Sequence, residues 1–171
     1  MSRNLRKITV LLLALTLILT TGVTSFAGSK ITEKQAISKA LKNAGLSKSK
    51  VRALEAEYED GKYEIEFVRK SNKAEYSYEY SKSGRLLEKS IDYRYKKNSS
   101  KEKIGKSEAR KKAAAYTGVK LSIVKKGTCR YEYDDGKGTY EVKFRSGKYK
   151  IEVEILAPTG KVIEYDRKYV G

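Results

Sequence analysis

The sequence contains one pattern twice, and this duplication constrains the fold more than any other feature. Three segments of the first half recur in the second half in the same order. The matched segments are 31–46 with 104–119, 63–67 with 140–144, and 84–88 with 160–164. Three ordered matches indicate duplication rather than chance. The chain is therefore predicted to contain two copies of a unit of about 65 residues.

Each unit is predicted to begin with a helix. In the first unit Thr32 starts the S/T-x-x-E/Q spacing of a capping box, and Gly45 stands where a helix ends in a left-handed residue. Alanines at helical spacing form one face of each helix, and Gly118 repeats the stop signal in the second unit. Because small side chains allow close packing, we expect Ala40 and Ala113 to face a sheet.

The remainder of each unit shows the period of two that is typical of β-strands. The tyrosines of 76–80, for example, alternate with polar residues and are expected to point at least partly inward. The predicted strands are 51–59, 62–69, 74–81 and 85–93, then 124–134, 138–146, 148–156 and 161–169. The predicted fold class is α+β, with two tandem units of one helix followed by a four-stranded antiparallel sheet. Since a unit of this size is marginally stable alone, we expect one long sheet with both helices on the same side.

A targeting segment precedes the two units. Residues 1–27 combine a basic start, an apolar run from Ile8 to Thr20 and a small residue at the end, which is typical of a secretory signal peptide. The alternative is an uncleaved membrane anchor, because residues 8–27 carry no charge. The predicted organisation is a signal peptide (1–27), a first repeat (31–95), a linker (96–103) and a second repeat (104–171). The product is expected to be secreted or otherwise extracytoplasmic.

The composition excludes several kinds of active site. The sequence has no His and one Cys, so neither a Ser-His-Asp triad nor a Cys-His pair nor a thiolate cluster is available. Glu64 and Glu66 share a strand face, as do Glu152 and Glu154, but such neighbours are far more often solvated than catalytic. We therefore predict a protein that is not an enzyme and that uses no cofactor and no metal. Export also argues against nucleic acid as a partner.

The repeated unit resembles the PepSY domain, a small exported module of thermolysin-type protease propeptides and of spore-cortex enzyme regulators. The segments that carry the resemblance in the first unit are 31–36 (ITEKQA), 63–67 (YEIEF), 76–80 (YSYEY) and 83–88 (SGRLLE). The second unit departs from the pattern at Gly105, which replaces the capping threonine. The resemblance implies a cystatin-like α+β fold. The doubled unit is also similar in architecture to the beta-lactamase inhibitor protein.

Two functions of different class remain open. The resemblance implies a non-catalytic binding module that inhibits or modulates an extracellular or envelope peptidase. The net charge of +17 favours an alternative, a basic envelope protein that associates electrostatically with anionic wall polymer or a lipid surface. Basic residues are densest from Lys96 to Lys112, and a solvated helix face would explain them equally well.

The predicted partner-binding surface is the sheet face that the helices leave uncovered. Its polar residues are Glu64, Glu66, Ser77 and Glu79 in the first unit, and Lys143, Lys150, Glu152 and Glu154 in the second. Mixed charges at a regular spacing favour specificity over raw affinity. The alternative is that these residues are merely solvated. No catalytic, cofactor-binding or metal-ligating residue is predicted.

Overall fold

The computed structural model describes residues 30–93, 104–134 and 136–171. The predicted signal peptide (1–27) and linker (96–103) lie outside these ranges. The helices are α1 (Glu33–Ala44), α2 (Lys106–Thr117) and the single turn α3 (Leu121–Val124), with a 3-10 turn at Lys48–Lys50. The strands are β1 (Val51–Glu59), β2 (Lys62–Arg69), β3 (Glu75–Ser81), β4 (Leu86–Asp92), β5 (Thr128–Asp134), β6 (Lys137–Ser146), β7 (Tyr149–Leu156) and β8 (Val162–Tyr169).

Helix α1 has the ends that its sequence predicts. The side chain of Thr32 accepts a hydrogen bond from the backbone N–H of Gln35, and the side chain of Gln35 accepts one from the backbone N–H of Thr32. This reciprocal pair satisfies two N–H groups that have no partner within the helix. At the other end Gly45 has a φ of 66°, so the predicted left-handed stop is confirmed.

All eight strands form one antiparallel sheet with the order β1-β2-β3-β4-β8-β7-β6-β5. The central pairing joins β4 to β8, from Glu88 opposite Lys168 to Asp92 opposite Glu164. Strands β1 and β5 are therefore the two edges. The fold is α+β, and the prediction of a single long sheet is confirmed.

One face of the sheet carries the hydrophobic core. A row of directly opposite residues crosses six strands on this face: Phe67, Tyr76, Ile91, Tyr165, Val153 and Val142. Ala40 of α1 and Ala113 of α2 are fully buried in the same core. Tyr76, Tyr78 and Tyr80 are buried as well. Both helices therefore cover the same face, and the predicted inward placement of the tyrosines is confirmed.

The predicted strand 124–134 is wrong in its first residues. Leu121–Val124 forms α3 instead, and β5 begins only at Thr128. Gly127 explains this boundary, because a Cβ there would lie 2.0 Å from the carbonyl oxygen of Lys143. Only glycine fits where the chain passes so close to the backbone of β6. The other seven strands agree with their predictions to within one residue at each end.

Candidate functional site

The candidate site is the sheet face opposite α1 and α2, which we call the open face. Successive side chains of a strand point to opposite sides of a sheet. Since Tyr63, Ile65 and Phe67 point into the core, Glu64 and Glu66 of the same strand lie on the open face. The same alternation places all eight residues predicted for partner binding on this face.

The strand register shows which of the predicted residues meet. Glu64 lies directly opposite Glu79, and Glu66 lies directly opposite Ser77. In the second half Lys143 lies opposite Glu152. Strands β4 and β8 stand between the two predicted groups, so the structure brings together the members of each group but not the two groups.

One line of seven directly opposite charges crosses the open face, and we call it the charged row. Its members, from β1 to β6, are Glu57, Glu64, Glu79, Glu88, Lys168, Lys150 and Arg145. The first half of the row is wholly acidic and the second half wholly basic. The two halves meet in an ion pair between Lys168 Nζ and Glu88 Oε2 at 2.9 Å.

A second line, which we call the carboxylate row, holds four acidic residues in succession and continues to Glu75 on β3 and to Arg130 on β5. Asp92, Glu164, Glu154 and Glu141 lie directly opposite one another on β4, β8, β7 and β6. Burial, a hydrogen bond with Glu154 and the charge of Asp166 raise the pKa of Glu164 to about 8. Lys137 Nζ lies 3.0 Å from Glu154 Oε1 and compensates part of the negative charge of the row.

Between these rows lies a third line with mixed character. It contains Glu66, Ser77, Ser90, Asp166, Glu152 and Lys143. Burial and a hydrogen bond with Glu141 raise the pKa of Glu152 to about 7. Lys143 Nζ bridges the pair, at 2.8 Å from Glu141 and 3.3 Å from Glu152. At the β2 end of this third line, burial and the charges of Glu64 and Glu55 raise the pKa of Glu66.

Sequence reasoning did not name several of the charges that complete these rows. They are Glu57, Glu88, Asp92, Glu141, Arg145, Glu164, Asp166 and Lys168. Their alternation with apolar residues places each on a strand face. The alignment of the rows across β4 and β8 follows from the register, which the alternation alone does not give.

The basic helix that the alternative function would use is solvated. Lys111 and Lys112 of α2 approach Glu108 at 3.7 and 3.9 Å, and all three side chains are largely exposed. Exposed pairs of this kind contribute little to stability.

Three further features bear on the kind of site that the described ranges can form. No group of three His, Cys, Asp or Glu residues there is arranged to hold a metal ion. Cys129 is buried, and burial raises the pKa of its thiol, which is typical of a small core residue rather than a nucleophile. None of the helices that the structure describes is both long and apolar enough to cross a membrane.

The chain matches one family model and is similar to several solved structures. The PepSY family model, described as "Peptidase propeptide and YPEB domain", matches residues 30–81 and 103–166. No curated protein matches the chain. Among solved structures, the C-terminal domain of Bacillus megaterium YpeB is similar, with 14% identity and a TM-score of 0.46 over 81% of this chain; the chain spans 63% of that structure's length. A BLIP-like protein of Bacteroides fragilis NCTC 9343 has 13% identity and a TM-score of 0.30, over 82% of this chain and 90% of that one.

Proposed function

The chain belongs to the PepSY family, and from this membership we propose that it is an exported, non-catalytic module that binds and modulates an extracellular or envelope peptidase. The family's description names peptidase propeptides. The absence of His and the single, buried Cys129 support a non-catalytic role. The signal-like residues 1–27 support export.

We further propose that the chain is a tandem duplication, with repeats at 31–95 and 104–171 joined by a linker at 96–103. The two family matches begin close to these boundaries. Helices α1 and α2 both end at a glycine of positive φ, and four antiparallel strands follow each of them. This duplication would double the surface that one unit offers to a partner.

The open face is the surface that we assign to the partner, and its charge pattern carries the proposal. Like charges directly opposite each other on neighbouring strands are destabilising. The charged row holds four carboxylates in succession and then three cations, and the carboxylate row adds four more acids. Lys62 Nζ pairs with Glu79 Oε1 at 2.9 Å, and a protein surface of complementary charge would relieve the remaining repulsion and gain specificity from it.

A pull-down with the purified protein tests this function. The bait is incubated with culture supernatant and wall extract at low salt and at about 0.3 M salt, where screening is short-ranged. The proposal predicts a stoichiometric peptidase that stays bound at the higher salt. Binding that disappears with salt and involves no peptidase contradicts it and supports association with anionic polymer or lipid.

Charge reversal then locates the surface. Reversing Glu152 and Glu154 to Lys on the open face should reduce capture of the peptidase more than reversing Lys111 and Lys112 to Glu on α2. The two double variants change the net charge by equal and opposite amounts, and thermal unfolding verifies that both remain folded. The opposite ranking would move the contact surface to the basic helix.

A further inference from the structure

A cavity of about 710 Å³ opens on the second half of the open face. Strands β6, β7 and β8 form its floor, and the chain from Ile123 to Thr128, which connects α3 to β5, forms a wall. A volume of this size lies within the range of ordinary ligand pockets. Lys143, Lys150 and Glu152, which belong to the surface assigned to the partner, line this cavity.

The cavity has an excess of positive charge. Five basic residues line it, namely Lys126, Lys143, Arg145, Lys150 and Lys168, against the three acids Glu88, Glu152 and Asp166. Two of the five are compensated, because Lys168 pairs with Glu88 and Lys143 with Glu152.

Three cations of the cavity lack such compensation. Within the ranges that the structure describes, Lys126, Arg145 and Lys150 form no ion pair with a carboxylate. Arg145 and Lys150 are exposed and lie directly opposite each other, so two like charges face the same space. A bound anion would remove this repulsion, and a guanidinium group next to an ammonium group suits a carboxylate.

The cavity also has an apolar part. Ile123 contributes to the wall. Phe144 and Ile151 border the floor, but their side chains pack into the core on the opposite face of the sheet. At one end Glu88 begins the acidic half of the charged row, where Glu79 and Glu64 follow. A long polyanion that continued across the face would meet these carboxylates, whereas a short segment would end before them.

We propose that this cavity binds an acidic, partly apolar peptide segment of the partner protein. Carboxylates of the segment pair with Arg145 and Lys150, and an aliphatic side chain packs against Ile123. This inference rests on the proposed function, because it names the chemistry of the partner at one end of the open face.

Fluorescence anisotropy with labelled peptides tests the proposal. The probe is a fluorescein-labelled peptide of alternating Glu and Leu, and the control peptide has Lys in place of Glu. The pocket variant carries Arg145→Gln and Lys150→Gln, and the matched control variant carries Lys34→Gln and Lys48→Gln, which are exposed residues of α1 and the 3-10 turn. Both variants lose two positive charges.

The proposal predicts that the Glu-Leu peptide binds and the Lys-Leu peptide does not. The pocket variant should weaken binding by about tenfold or more, and the control variant by less than about twofold. Equal losses in the two variants would overturn it, since binding would then follow net charge alone. Polyphosphate that competes more strongly than unlabelled peptide would overturn it in favour of a polymer site.

The peptidase capture separates this proposal from the function on which it rests. If the pocket variant captures the peptidase as well as the unmodified protein does, the cavity assignment fails and the proposed function stands. If the unmodified protein captures no peptidase although it binds the Glu-Leu peptide, the proposed function fails instead.

Discussion

Two tyrosine hydroxyl groups in the same sheet have opposite environments. The hydroxyl of Tyr63 donates a hydrogen bond to the backbone carbonyl of Ile31, which attaches the start of α1 to β2. The hydroxyl of Tyr78 is buried and has no hydrogen-bond partner among the described residues. The ring of Tyr78 still packs well, since it stacks on Phe67 and Tyr80 with centroids 5.9 and 6.2 Å apart.

The same substitution should therefore have opposite effects at these two positions. Tyr78→Phe keeps the ring and removes an unsatisfied buried group, so the free energy of unfolding should rise by about 1 kcal/mol. Tyr63→Phe leaves the Ile31 carbonyl without this donor, so the free energy of unfolding should fall by about 1 kcal/mol. Urea unfolding measures both. Destabilisation by Tyr78→Phe as large as that by Tyr63→Phe would contradict this account of the core.

Individual carboxylates of the open face make stability depend on pH. Glu164 and Glu152 have folded-state pKa values of about 8 and about 7, against an ordinary value of 4.5. The folded state therefore holds these protons more tightly than the unfolded chain does. This contribution to stability is fully present below pH 4.5 and is lost as the pH rises through 7 and 8.

Replacing Glu164 with Gln should flatten this pH dependence. Glutamine imitates the protonated acid, so the variant should be more stable than the unmodified protein at pH 8 and nearly equal to it at pH 4.5. Urea midpoints across this range provide the measurement, and Glu59→Gln at the exposed end of β1 is the matched control. An unmodified protein that gains stability from pH 4.5 to pH 8 would contradict the prediction.

At the scale of the elements, the two long helices differ in how they begin. α1 has a complete capping box, whereas Gly105 at the N-cap of α2 offers no side chain. The backbone of Gly105 has φ −96° and ψ 172°, which any residue can adopt at an N-cap, and a Cβ there would meet nothing within 4 Å. Glu108 already occupies the third helical position, where a capping box needs it.

Completing this cap should stabilise the protein. Gly105→Thr should raise the free energy of unfolding by about 0.5 kcal/mol, because glycine is itself a tolerable cap. Thr32→Ala, which removes the cap of α1, should lower it by about 1 kcal/mol. Thermal or urea unfolding measures both changes. Destabilisation by Gly105→Thr would show that α2 begins in a different way.

The sequence predicts the elements well because their signals are local. Capping residues, left-handed glycines and the alternation of tyrosines depend on neighbours in the chain, so α1 and seven strands agree closely with expectation. The start of β5 is not predicted correctly because the backbone of β6, which is distant in sequence, leaves room only for glycine at position 127. The rows of the open face are missed for the same reason, since the β4–β8 pairing sets their alignment.

At the scale of the whole molecule, the β4–β8 pairing joins the two halves into one sheet. Ile91 of β4 is buried, with Tyr76 opposite on one side and Tyr165 on the other. Ile91→Ala should lower the free energy of unfolding by about 2–4 kcal/mol through the cavity that it leaves. Hydrogen exchange should show faster opening in both halves together. Loss of protection confined to one half would contradict a single cooperative unit.

The open face also separates its own charges into acidic and basic blocks. The net charge is +17, yet the open face holds the acidic half of the charged row and the whole carboxylate row. A surface that holds both signs of charge in fixed blocks is a candidate for a specific protein contact rather than for general attraction to anionic polymers.

Site-specific photo-cross-linking tests this central claim most directly. A photoreactive residue replaces Ser77 or Ser90, neighbours on the open face, or Lys111 on α2 as the control. Each protein is irradiated in wall extract, and its adducts are identified by mass spectrometry. The account predicts that a peptidase is cross-linked from Ser77 and Ser90 and not from Lys111. Cross-links to a peptidase from Lys111 alone, or from none of the three positions, would contradict it.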